Sequence, residues 1–383
     1  MLRKKLYVIA DIRAGGTPSR NNPDYWNGNI PWVKISNING KYVTTYDETI
    51  TELGLKNSSA KLFEKETILY TIFATLGRVG ILQFDATTNQ AIAGIKIKDN
   101  SISTDYLYYY LRSLENYVKD IGNGAAQQNI NQTILKNFTV PVISKEKQNQ
   151  ICSELENIEN VLLKKQHDLA SLDELIKSRF IEMFGDPNFN DKNWDRLQIR
   201  DIGECVAGAT PSTKVNEYWE NGTISWLSSG EVHKRRIYST DSKITQSGYD
   251  HASTKMVPAH TVLLAMAGQG KTRGTAAMAE IPLCTNQSIC SIVNNEKINP
   301  EYLMEYLTLE YNELRSASNG GEGRGGLNLK IIGDFPINVP PINLQNEYAE
   351  FIKQIDKSKF IVQKEIKDLQ ELLDKKMDEY FGQ

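Results

Sequence analysis

The sequence has few cysteines and histidines, and their spacing excludes several kinds of site. Its 383 residues include four cysteines, none spaced as CxxC, so neither a zinc ribbon nor a disulfide framework is expected. The four histidines form no HExxH or HxH cluster of the kind that metal hydrolases use. We therefore expect no metal site, and we expect the cysteines to be buried thiols.

Long hydrophobic runs are also missing. No segment of about eighteen apolar residues occurs, so no transmembrane helix is predicted. The N-terminal segment contains basic residues, but Asp11 and Arg13 interrupt its apolar stretch, which is unlike a secretory signal. From these features and the length, we expect a cytoplasmic protein of two or three domains.

Catalytic motifs are absent or incomplete. Residues 22–25 read NPDY, similar to the NPPY motif of adenine methyltransferases, but no FxGxG loop for S-adenosylmethionine follows a predicted strand. Residues 268–272 read GQGKT, but Ala265 stands where a phosphate loop needs its first glycine. No serine lies in GxSxG, and no cysteine and histidine form a recognisable pair. The sequence indicates a chain without catalytic activity.

An internal repeat is the main positive feature. The phrase TPSRNNPDYWNGNIPW at 17–32 is matched by TPSTKVNEYWENGTISW at 210–226. Further matches follow in unbroken order: TILYTIFATLGRVG with TVLLAMAGQGKTRG, NQAIAGIKI with NQSICSIVN, and DYLYYYL with EYLMEYL. The copies also end alike, in IEMFGD and DEYFGQ. A tandem duplication is therefore predicted.

A heptad pattern follows each globular copy. One frame places mostly apolar residues at the seam positions of 144–187 and of 342–383. Each segment predicts a helix about 60 Å long with a narrow apolar stripe, which suits a partner helix. We expect the two helices to pair antiparallel, with the globular parts at opposite ends of a rod. Packing of each helix on its own domain is the alternative.

The predicted fold class is α+β, a tandem duplication of a mixed α/β globular domain in which each copy is followed by a long helix. The predicted segments are 1–143, 144–187, 188–341 and 342–383. Stretches such as ETILYTIF and HTVLLAMA are typical of buried strands, and DYLYYYLRSLENYV is typical of a helix. The stretches GNGAAQQNINQ and SNGGEGRGGLN are predicted to be flexible loops.

Loops rich in cations, amides and hydroxyls favour nucleic-acid binding. GRVG and GKTRG place Arg78, Lys271 and Arg273 among glycines, where a cation and the backbone can approach a phosphate or a guanine edge. For any single residue, an ordinary solvated loop is the alternative. The predicted DNA-binding residues are Ser19, Arg20, Lys34, Ser36, Asn37, Arg78, Gln127, Gln128, Asn129, Ser212, Lys214, Ser228, Ser229, Lys234, Arg235, Gln269, Lys271, Arg273 and Arg324.

The charge balance differs from that of a stand-alone nucleic-acid binder, which is usually basic. The chain carries 44 basic and 47 acidic residues, a net charge of −3. Residues 1–143 carry 16 basic and 12 acidic residues (+4), and the three later segments carry −3, −2 and −2. Either the cations gather on one face, as the run HKRR at 233–236 allows, or a partner supplies part of the grip on the DNA backbone.

Together these features resemble the specificity subunit of type I restriction-modification enzymes. The residues that carry the resemblance are GGTPS and AGATPS, YW followed by NG and a second tryptophan, a glycine–arginine loop, and a heptad helix ending in FGD. The resemblance covers essentially the whole chain. It implies two target recognition domains that each read one half of a bipartite double-stranded DNA sequence, and an antiparallel helical spacer that fixes the gap.

The resemblance also implies partners and roles. The partners would be modification methyltransferase subunits, expected as a pair, which bind S-adenosylmethionine, and translocating restriction subunits; this chain would carry no cofactor. Tyrosines and tryptophans of the repeated phrase would be scaffold. Loops that differ would read the DNA, with residues 36–37 opposite 228–229 and residues 77–78 opposite 271–272, so the half-sites would differ. Two other classes stay open: a DNA methyltransferase with a fused recognition domain, and a coiled-coil adaptor that binds proteins.

Overall fold

The computed structural model describes residues 2–123, 130–268, 270–318 and 326–382. The chain divides into two compact units. The first comprises Met1–Gln166 and Lys364–Gln383, and the second comprises His167–Gln363. Each unit therefore combines one globular domain with parts of two long helices.

The described residues of the first domain form three sheets. The strands are β1 (Leu2–Lys5), β2 (Ala10–Ala14), β3 (Trp26–Val33), β4 (Tyr42–Val43), β5 (Glu48–Ile50), β6 (Ile68–Thr71), β7 (Val79–Leu82), β8 (Thr87–Thr88), β9 (Ile92–Ile97) and β10 (Thr139–Val142). The central sheet has the order β2-β9-β6-β7-β4, a smaller sheet has the order β5-β3-β8, and β1 pairs with β10.

Helices and short 3-10 turns connect these strands. The helices are α1 (Leu6–Ile9), α2 (Glu52–Lys56), α3 (Thr104–Ser113), α4 (Glu115–Asn123), α5 (Gln132–Lys136) and α6 (Lys145–Phe184), and the turns lie at Pro23–Tyr25 and Ile35–Asn37. The Thr51 hydroxyl accepts the Gly54 N–H at 3.0 Å at the start of α2, and Ser103 caps α3 in the same way. Such caps satisfy N–H groups that a helix leaves unpaired at its start.

The second domain repeats this architecture in its described residues. Its strands are β11 (Asp195–Gln198), β12 (Gly203–Ala207), β13 (Ile224–Leu227), β14 (Arg236–Ile237), β15 (Ser242–Ile244), β16 (Met256–Val257), β17 (Val262–Ala265), β18 (Ala276–Ala279), β19 (Leu283–Thr285), β20 (Ile289–Asn294) and β21 (Pro336–Val339). Its helices are α7 (Ile199–Ile202), α8 (Gln246–Asp250), α9 (Pro300–Leu309), α10 (Tyr311–Ala317), α11 (Leu329–Gly333) and α12 (Ile342–Phe381), with 3-10 turns at Asn216–Tyr218 and Ser229–Lys234.

The sheet orders of the two domains correspond, except that the smaller sheet of the second domain has one additional strand, β16. The central sheet of the second domain runs β12-β20-β17-β18-β14, and its smaller sheet runs β15-β13-β19-β16. The first domain has only an isolated bridge between Phe63 and Ala86 at the place of β16. The predicted tandem duplication and α+β class are confirmed.

The central sheet of each domain lies between two apolar cores. In β6, Ile68 and Tyr70 belong to the core that contains α3, whereas Leu69 belongs to a separate core with Val33 of β3. Successive side chains of a strand point to opposite faces, so every residue of β6 is buried. This burial on both faces explains the continuous apolar runs in the sequence.

The long helices pair antiparallel within the first unit. Glu154 of α6 forms an ion pair with Lys376 of α12 at 3.0 Å, and Lys165 forms one with Glu365 at 2.7 Å. The residue number of the partner in α12 falls as the residue number in α6 rises, so the two helices run in opposite directions. Leu155 of α6 shares one core with residues of α12, so both ion pairs and apolar packing hold the helices together.

The same pairing occurs within the second unit. Asp173 of α6 contacts Lys359 of α12 at 2.6 Å, and Arg179 contacts Glu347 at 3.2 Å. The predicted antiparallel pairing is therefore confirmed. The helix start also packs on its own domain, since the Tyr109 hydroxyl of α3 donates to Glu159 of α6 at 2.7 Å.

Each long helix ends against the domain of the other copy. In the first unit, Phe381 of α12 packs against Tyr106 and Tyr110 of α3, with ring centroids 5.5 and 6.1 Å apart. In the second unit, Phe184 of α6 packs 4.7 Å from Tyr302 of α9. The repeated phenylalanine of the FGD and FGQ endings is therefore a core residue in both units.

A buried glutamine fixes the start of each long helix. The Gln148 amide is fully buried, donates to the carbonyls of Ser101 (2.7 Å) and Ile143 (2.9 Å), and accepts the Ser103 N–H (2.9 Å). Gln345, at the start of α12, is buried and bonded in the corresponding way. Each amide thus joins the helix to the loop before α3 or α9.

Candidate nucleic-acid interface

In the first domain the repeated phrase folds into a turn held by two tryptophans. The rings of Trp26 and Trp32 meet edge to face, with centroids 5.1 Å apart. Their indole N–H groups donate to the carbonyls of Ser19 and Gly16, both at 3.1 Å. Because an indole N–H that leaves water needs an acceptor, these bonds fix the backbone of the TPS turn.

The second domain has the same arrangement. Trp219 and Trp226 meet edge to face at 5.0 Å, and they donate to the carbonyls of Ser212 (3.2 Å) and Ala209 (3.0 Å). The phrase that occurs twice in the sequence therefore encodes a shared scaffold. The loops next to it are free to differ.

A charged cluster lies beside this turn in the first domain. The Arg20 guanidinium stacks 3.6 Å from the centre of the Trp26 ring and bonds Glu48 at 2.6 Å. Lys34 bonds the other oxygen of Glu48 at 2.5 Å. Burial opposes ionisation of Glu48, but hydrogen bonds from Lys34 and Arg20 prevail and lower its pKa. The cluster keeps one positive charge in excess.

The second domain has hydroxyls at the same three positions. Strand register places Glu48 opposite Trp32 and Ser242 opposite Trp226, so Ser242 corresponds to Glu48. By the same correspondence, Thr213 replaces Arg20 and Ser228 replaces Lys34. Equivalent surfaces therefore offer ion pairs in one domain and neutral donors and acceptors in the other. The predicted contact residues Ser212 and Lys214 are exposed beside this surface.

The turn after the second tryptophan is capped alike in both domains. The Asn37 side chain accepts the Lys34 backbone N–H at 2.9 Å, and the Glu231 carboxylate accepts the Ser228 N–H at 3.2 Å. Asn37 therefore corresponds to Glu231, and Lys34 corresponds to Ser228. Both capping side chains are buried.

This correspondence corrects the predicted alignment, which placed Ser36 and Asn37 opposite Ser228 and Ser229. The alignment was wrong by two residues, because the capping interactions and not the local residue types set the register. Ser36 is exposed, whereas Ser228 and Ser229 are half-buried. The Asn37 amide oxygen is already used within the protein.

The basic run HKRR does not form a patch of free cations. Lys234 contacts Glu231 at 2.8 Å and Asp241 at 2.7 Å, and Arg235 contacts Glu305 at 2.5 Å. The hypothesis that this run concentrates positive charge on one face is therefore wrong. Acidic residues from three neighbouring segments neutralise Lys234 and Arg235.

The last residue of that run, Arg236, connects the second domain to a long helix. Its guanidinium contacts Glu280 after β18 (2.5 Å), Glu301 on α9 (2.8 Å) and Asp356 on α12 (2.6 Å). Burial alone would lower the pKa of Arg236, but the carboxylates raise it. The charge is therefore retained and fixes the domain on the helix.

Lys41 has this role in the first domain. Its ammonium, on a side chain only 10% exposed, contacts Asp105 of α3 at 2.9 Å and Glu156 of α6 at 3.0 Å. Burial opposes its charge, but the ion pairs raise the pKa of Lys41. The sequence analysis did not identify Lys41 and Arg236. The acidic residues at the starts of α3 and α9, Asp105 and Glu301, were a signal for such ion pairs.

The glycine loops between the central hairpin strands differ in length. The N–H of Gly77 donates to the Thr71 carbonyl at 3.1 Å, and the N–H of Gly274 donates to the Ala265 carbonyl at 2.9 Å. Gly77 and Gly274 have φ of 82° and 86°, a region that favours glycine. These two glycines correspond, so the predicted pairing of Gly77 with Lys271 is wrong. The second loop is longer and shifts the register.

The predicted cations of these loops lie at different depths. Lys271 and Arg78 are exposed, and Arg273 is half-buried. Arg78 lines an open cavity of about 710 Å³ together with Arg112 and Glu159. This cavity therefore has charges of both signs.

The remaining predicted contact residues, Gln127, Gln128, Asn129, Gln269 and Arg324, lie outside the described residues. So do parts of the two stretches predicted as flexible loops.

Within the described part of the chain, no group of three or more histidine, cysteine, aspartate or glutamate side chains could hold a metal ion. All four cysteines are unpaired; Cys205 is half-buried and the others are buried. None of the described helices combines the length and apolar character needed to cross a membrane.

Comparison with known proteins identifies the family. The model of the type I restriction modification DNA specificity domain matches the chain twice, at residues 3–172 and 191–371. The chain therefore belongs to this family. It is 26% identical to the type I restriction enzyme MjaIX specificity subunit of Methanocaldococcus jannaschii, over 80% of this chain and 75% of that protein. It is 23% identical to the EcoR124I/EcoR124II specificity subunit of Escherichia coli, over 79% and 76%.

Solved structures share the fold. The S subunit of a type I restriction-modification system from M. genitalium superposes with a TM-score of 0.58 at 15% identity, covering 98% of this chain and 94% of that one. A chain from a study of complex assembly and conformational transition in a type I system superposes with a TM-score of 0.66 at 14% identity, covering 99% and 97%. The family resemblance inferred from the sequence is confirmed, and DNA specificity is the function of this family.

Proposed function

We propose that this chain recognises a bipartite double-stranded DNA sequence within a type I restriction-modification complex, each domain reading one half. The observation that carries the proposal is a pair of domains with the same tryptophan-held turn and different side chains around it. A shared scaffold with divergent loops is what two readers of unlike sequences require. Segments 1–143 and 188–341 would be the readers, and segments 144–187 and 342–383 the spacer.

The two half-sites differ in this proposal. The Arg20 cluster of the first domain offers a guanidinium, an ammonium and a carboxylate, whereas Thr213, Ser228 and Ser242 offer hydroxyls at the same places. Arginine and lysine are suited to guanine O6 and N7 or to phosphate, and hydroxyls bond several base edges. Recovery of a motif with two identical halves would contradict this part of the proposal.

Partner subunits would supply the catalytic activity and part of the affinity for DNA. The net charge is −3, and many of the cations near the readers are already in ion pairs. Modification methyltransferase subunits would bring both S-adenosylmethionine and additional contacts to the DNA backbone. This chain would have no cofactor and no catalytic role, and restriction subunits would join the larger complex in the cytoplasm.

Equivalent exposed apolar side chains support docking of two identical partners. Leu163 of α6 is 64% exposed and Phe360 of α12 is 70% exposed, and an offset of 197, the one that relates Phe184 to Phe381, relates them. Apolar and aromatic side chains are common in the buried core of protein interfaces, and the retention of one at the same position of both copies fits one contact for each copy. We therefore propose one modification subunit for each copy.

The proposal is tested by selecting bound duplexes from a random pool. The chain is purified with the methyltransferase that accompanies it in its host, and the selected DNA is sequenced. A motif of two unlike short halves with a fixed gap is expected. Enrichment of no sequence, with or without a bound methyltransferase, would refute sequence reading.

Docking is tested with Leu163→Ser and Phe360→Ser. Each single substitution should reduce the recovered methyltransferase from two copies per chain to one, and the double substitution should abolish recovery. Ser substitution at Ile181, an exposed apolar residue of α6 whose counterpart in α12 is Asp378, serves as a control and should leave two copies. Retention of two copies by the double variant would refute this interface.

A further inference from the structure

The two glycine loops are anchored by different residues. In the first domain, the anchor is Thr71, a fully buried residue at the end of β6. Its hydroxyl accepts the Arg78 N–H at 2.9 Å and donates to the carbonyl of Thr75. A single strand residue therefore holds both the middle and the end of the short loop.

The second domain lacks this anchor, because Ala265 occupies the position of Thr71. Two side chains of α10 hold the longer loop instead, together with the Thr275 hydroxyl, which donates to the carbonyl of Lys271 at 2.9 Å. Arg315 Nη1 donates to the carbonyls of Gly270 (2.9 Å) and Arg273 (3.1 Å), and the Tyr311 hydroxyl donates to the carbonyl of Lys271 (3.0 Å). We call Tyr311 and Arg315 the α10 clamp and residues 270–274 the clamped loop.

Close packing shows that the clamp and the loop fit each other. A Cβ atom on Gly274 would lie 3.3 Å from Arg315 Cγ and 3.5 Å from the Tyr311 ring, and its φ of 86° also favours glycine. The Arg315 guanidinium lies 5.4 Å from the centre of the Tyr311 ring, and Nη1 lies 3.0 Å from the Tyr311 hydroxyl. Each clamp residue therefore also positions the other.

The clamp is specific to the second copy. The same positions of α4 hold Glu115 and Lys119, whose ammonium and carboxylate form an ion pair at 2.7 Å on the helix surface. A Cβ atom on Gly77 would lie 3.2 Å from the Cα atom of Glu115, so Gly77 packs closely on the α4 backbone. The first loop therefore needs no side chain from α4.

We propose that Tyr311 and Arg315 are positioning residues that determine the sequence preference of the second domain by holding the clamped loop, and that Thr71 has this role in the first domain. This inference rests on the proposed function. Three carbonyls of the loop are bound on the protein side, so Lys271 and its neighbours project from a backbone that is fixed before DNA arrives. A preordered loop loses less conformational entropy on binding and tolerates fewer alternative base contacts.

The test is a random-pool selection with the complex of this chain and its methyltransferase. Arg315→Ala should relax the preferred bases of one half-site only and weaken binding to the selected sequence about tenfold. Binding to an unrelated duplex should change less than twofold. Arg315→Lys should recover part of the preference, because an ammonium can still donate to two carbonyls.

Matched variants separate positioning from folding. Tyr311→Phe removes one hydroxyl and should relax the same half-site with an unchanged melting temperature. Lys119→Ala, at the equivalent position of the first copy, should change neither half. Thr71→Val should relax only the other half-site, since valine keeps the shape and removes the two hydrogen bonds.

Three results would overturn the inference. The first is an unchanged half-site in both Arg315→Ala and Tyr311→Phe. The second is an equal loss of affinity on every sequence, which would show a general effect on the fold or on phosphate binding. The third is a wild-type complex that selects no two-part motif, which would overturn the proposed function as well.

Discussion

Glu310 provides a quantitative test of the packing between α9 and α10. It lies at the junction of these helices, is 6% exposed, and its Oε1 atom has no hydrogen-bond partner among the described residues. Burial, with the negative charges of Glu313 and Asp186 nearby, raises its pKa from 4.5 to about 7, although Arg196 partly opposes the shift. Leu114 occupies the same position in the first copy and is buried.

The raised pKa determines how stability depends on pH. The folded protein holds a proton on Glu310 more tightly than the unfolded chain does, so stability is lost as the pH rises from 4.5 to about 7 and stays level above that. Each pH unit in this window costs about 1.4 kcal/mol. The full window gives an upper value of about 3 kcal/mol, and partial solvation of the carboxyl reduces the expected cost to about 2 kcal/mol.

Glu310→Leu should therefore stabilise the second unit at pH 8 by about 2 kcal/mol, and much less at pH 5. The assay is thermal unfolding of the full chain at both pH values, with hydrogen exchange of α9 and α10 to locate the effect. Glu296→Leu, at an exposed carboxylate, is the control and should give no gain. An equal gain at pH 5 and pH 8 would refute the reasoning, because apolar packing alone would then explain it.

Three further predictions concern single features. Gln148→Ala removes three hydrogen bonds of a buried amide and should cost about 2 to 3 kcal/mol of stability. Gln150→Ala, at an exposed site, should leave the melting temperature nearly unchanged. Equal shifts of the melting temperature in the two variants would contradict the role of Gln148. Insertion of one heptad within 144–187 should change the tolerated gap or abolish binding, and altered half-sites with an unchanged gap would refute the spacer. Arg273→Ala should relax one half-site by about 1 to 3 kcal/mol if it bonds guanine, and uniform loss on all sequences would indicate a phosphate contact.

The duplication made much of the fold predictable. Each apolar strand pattern and each heptad pattern occurs in both copies, so each prediction had two independent supports. The structure has strands β6 and β17 and helices α6 and α12 at these patterns. The pairing of the helices followed from their narrow apolar stripes. The contact of Phe381 with Tyr106 was not predictable, because a heptad pattern does not specify which domain a helix end meets.

The surface around the turns was less predictable. Loop length changes without leaving a periodic pattern, so the insertion before Gly274 displaced the alignment of the glycine loops. Ion pairs such as Arg236 with Asp356 join residues far apart in the sequence, and a basic run looks the same whether or not acids neutralise it. Local sequence patterns therefore indicated the candidate surface, but they did not show which of its cations are paired with acidic residues.

The position of Phe381 also affects the order in which the protein can mature. Tyr106 and Tyr110 precede the second domain in the sequence, whereas the Phe381 ring that covers them follows it. The first domain therefore leaves the ribosome with part of its aromatic core uncovered, and it keeps that surface until translation of the second domain and α12 is finished. Exposed apolar surface of this kind is prone to aggregation, so the first half of the protein depends on completion of the second half for its own protection.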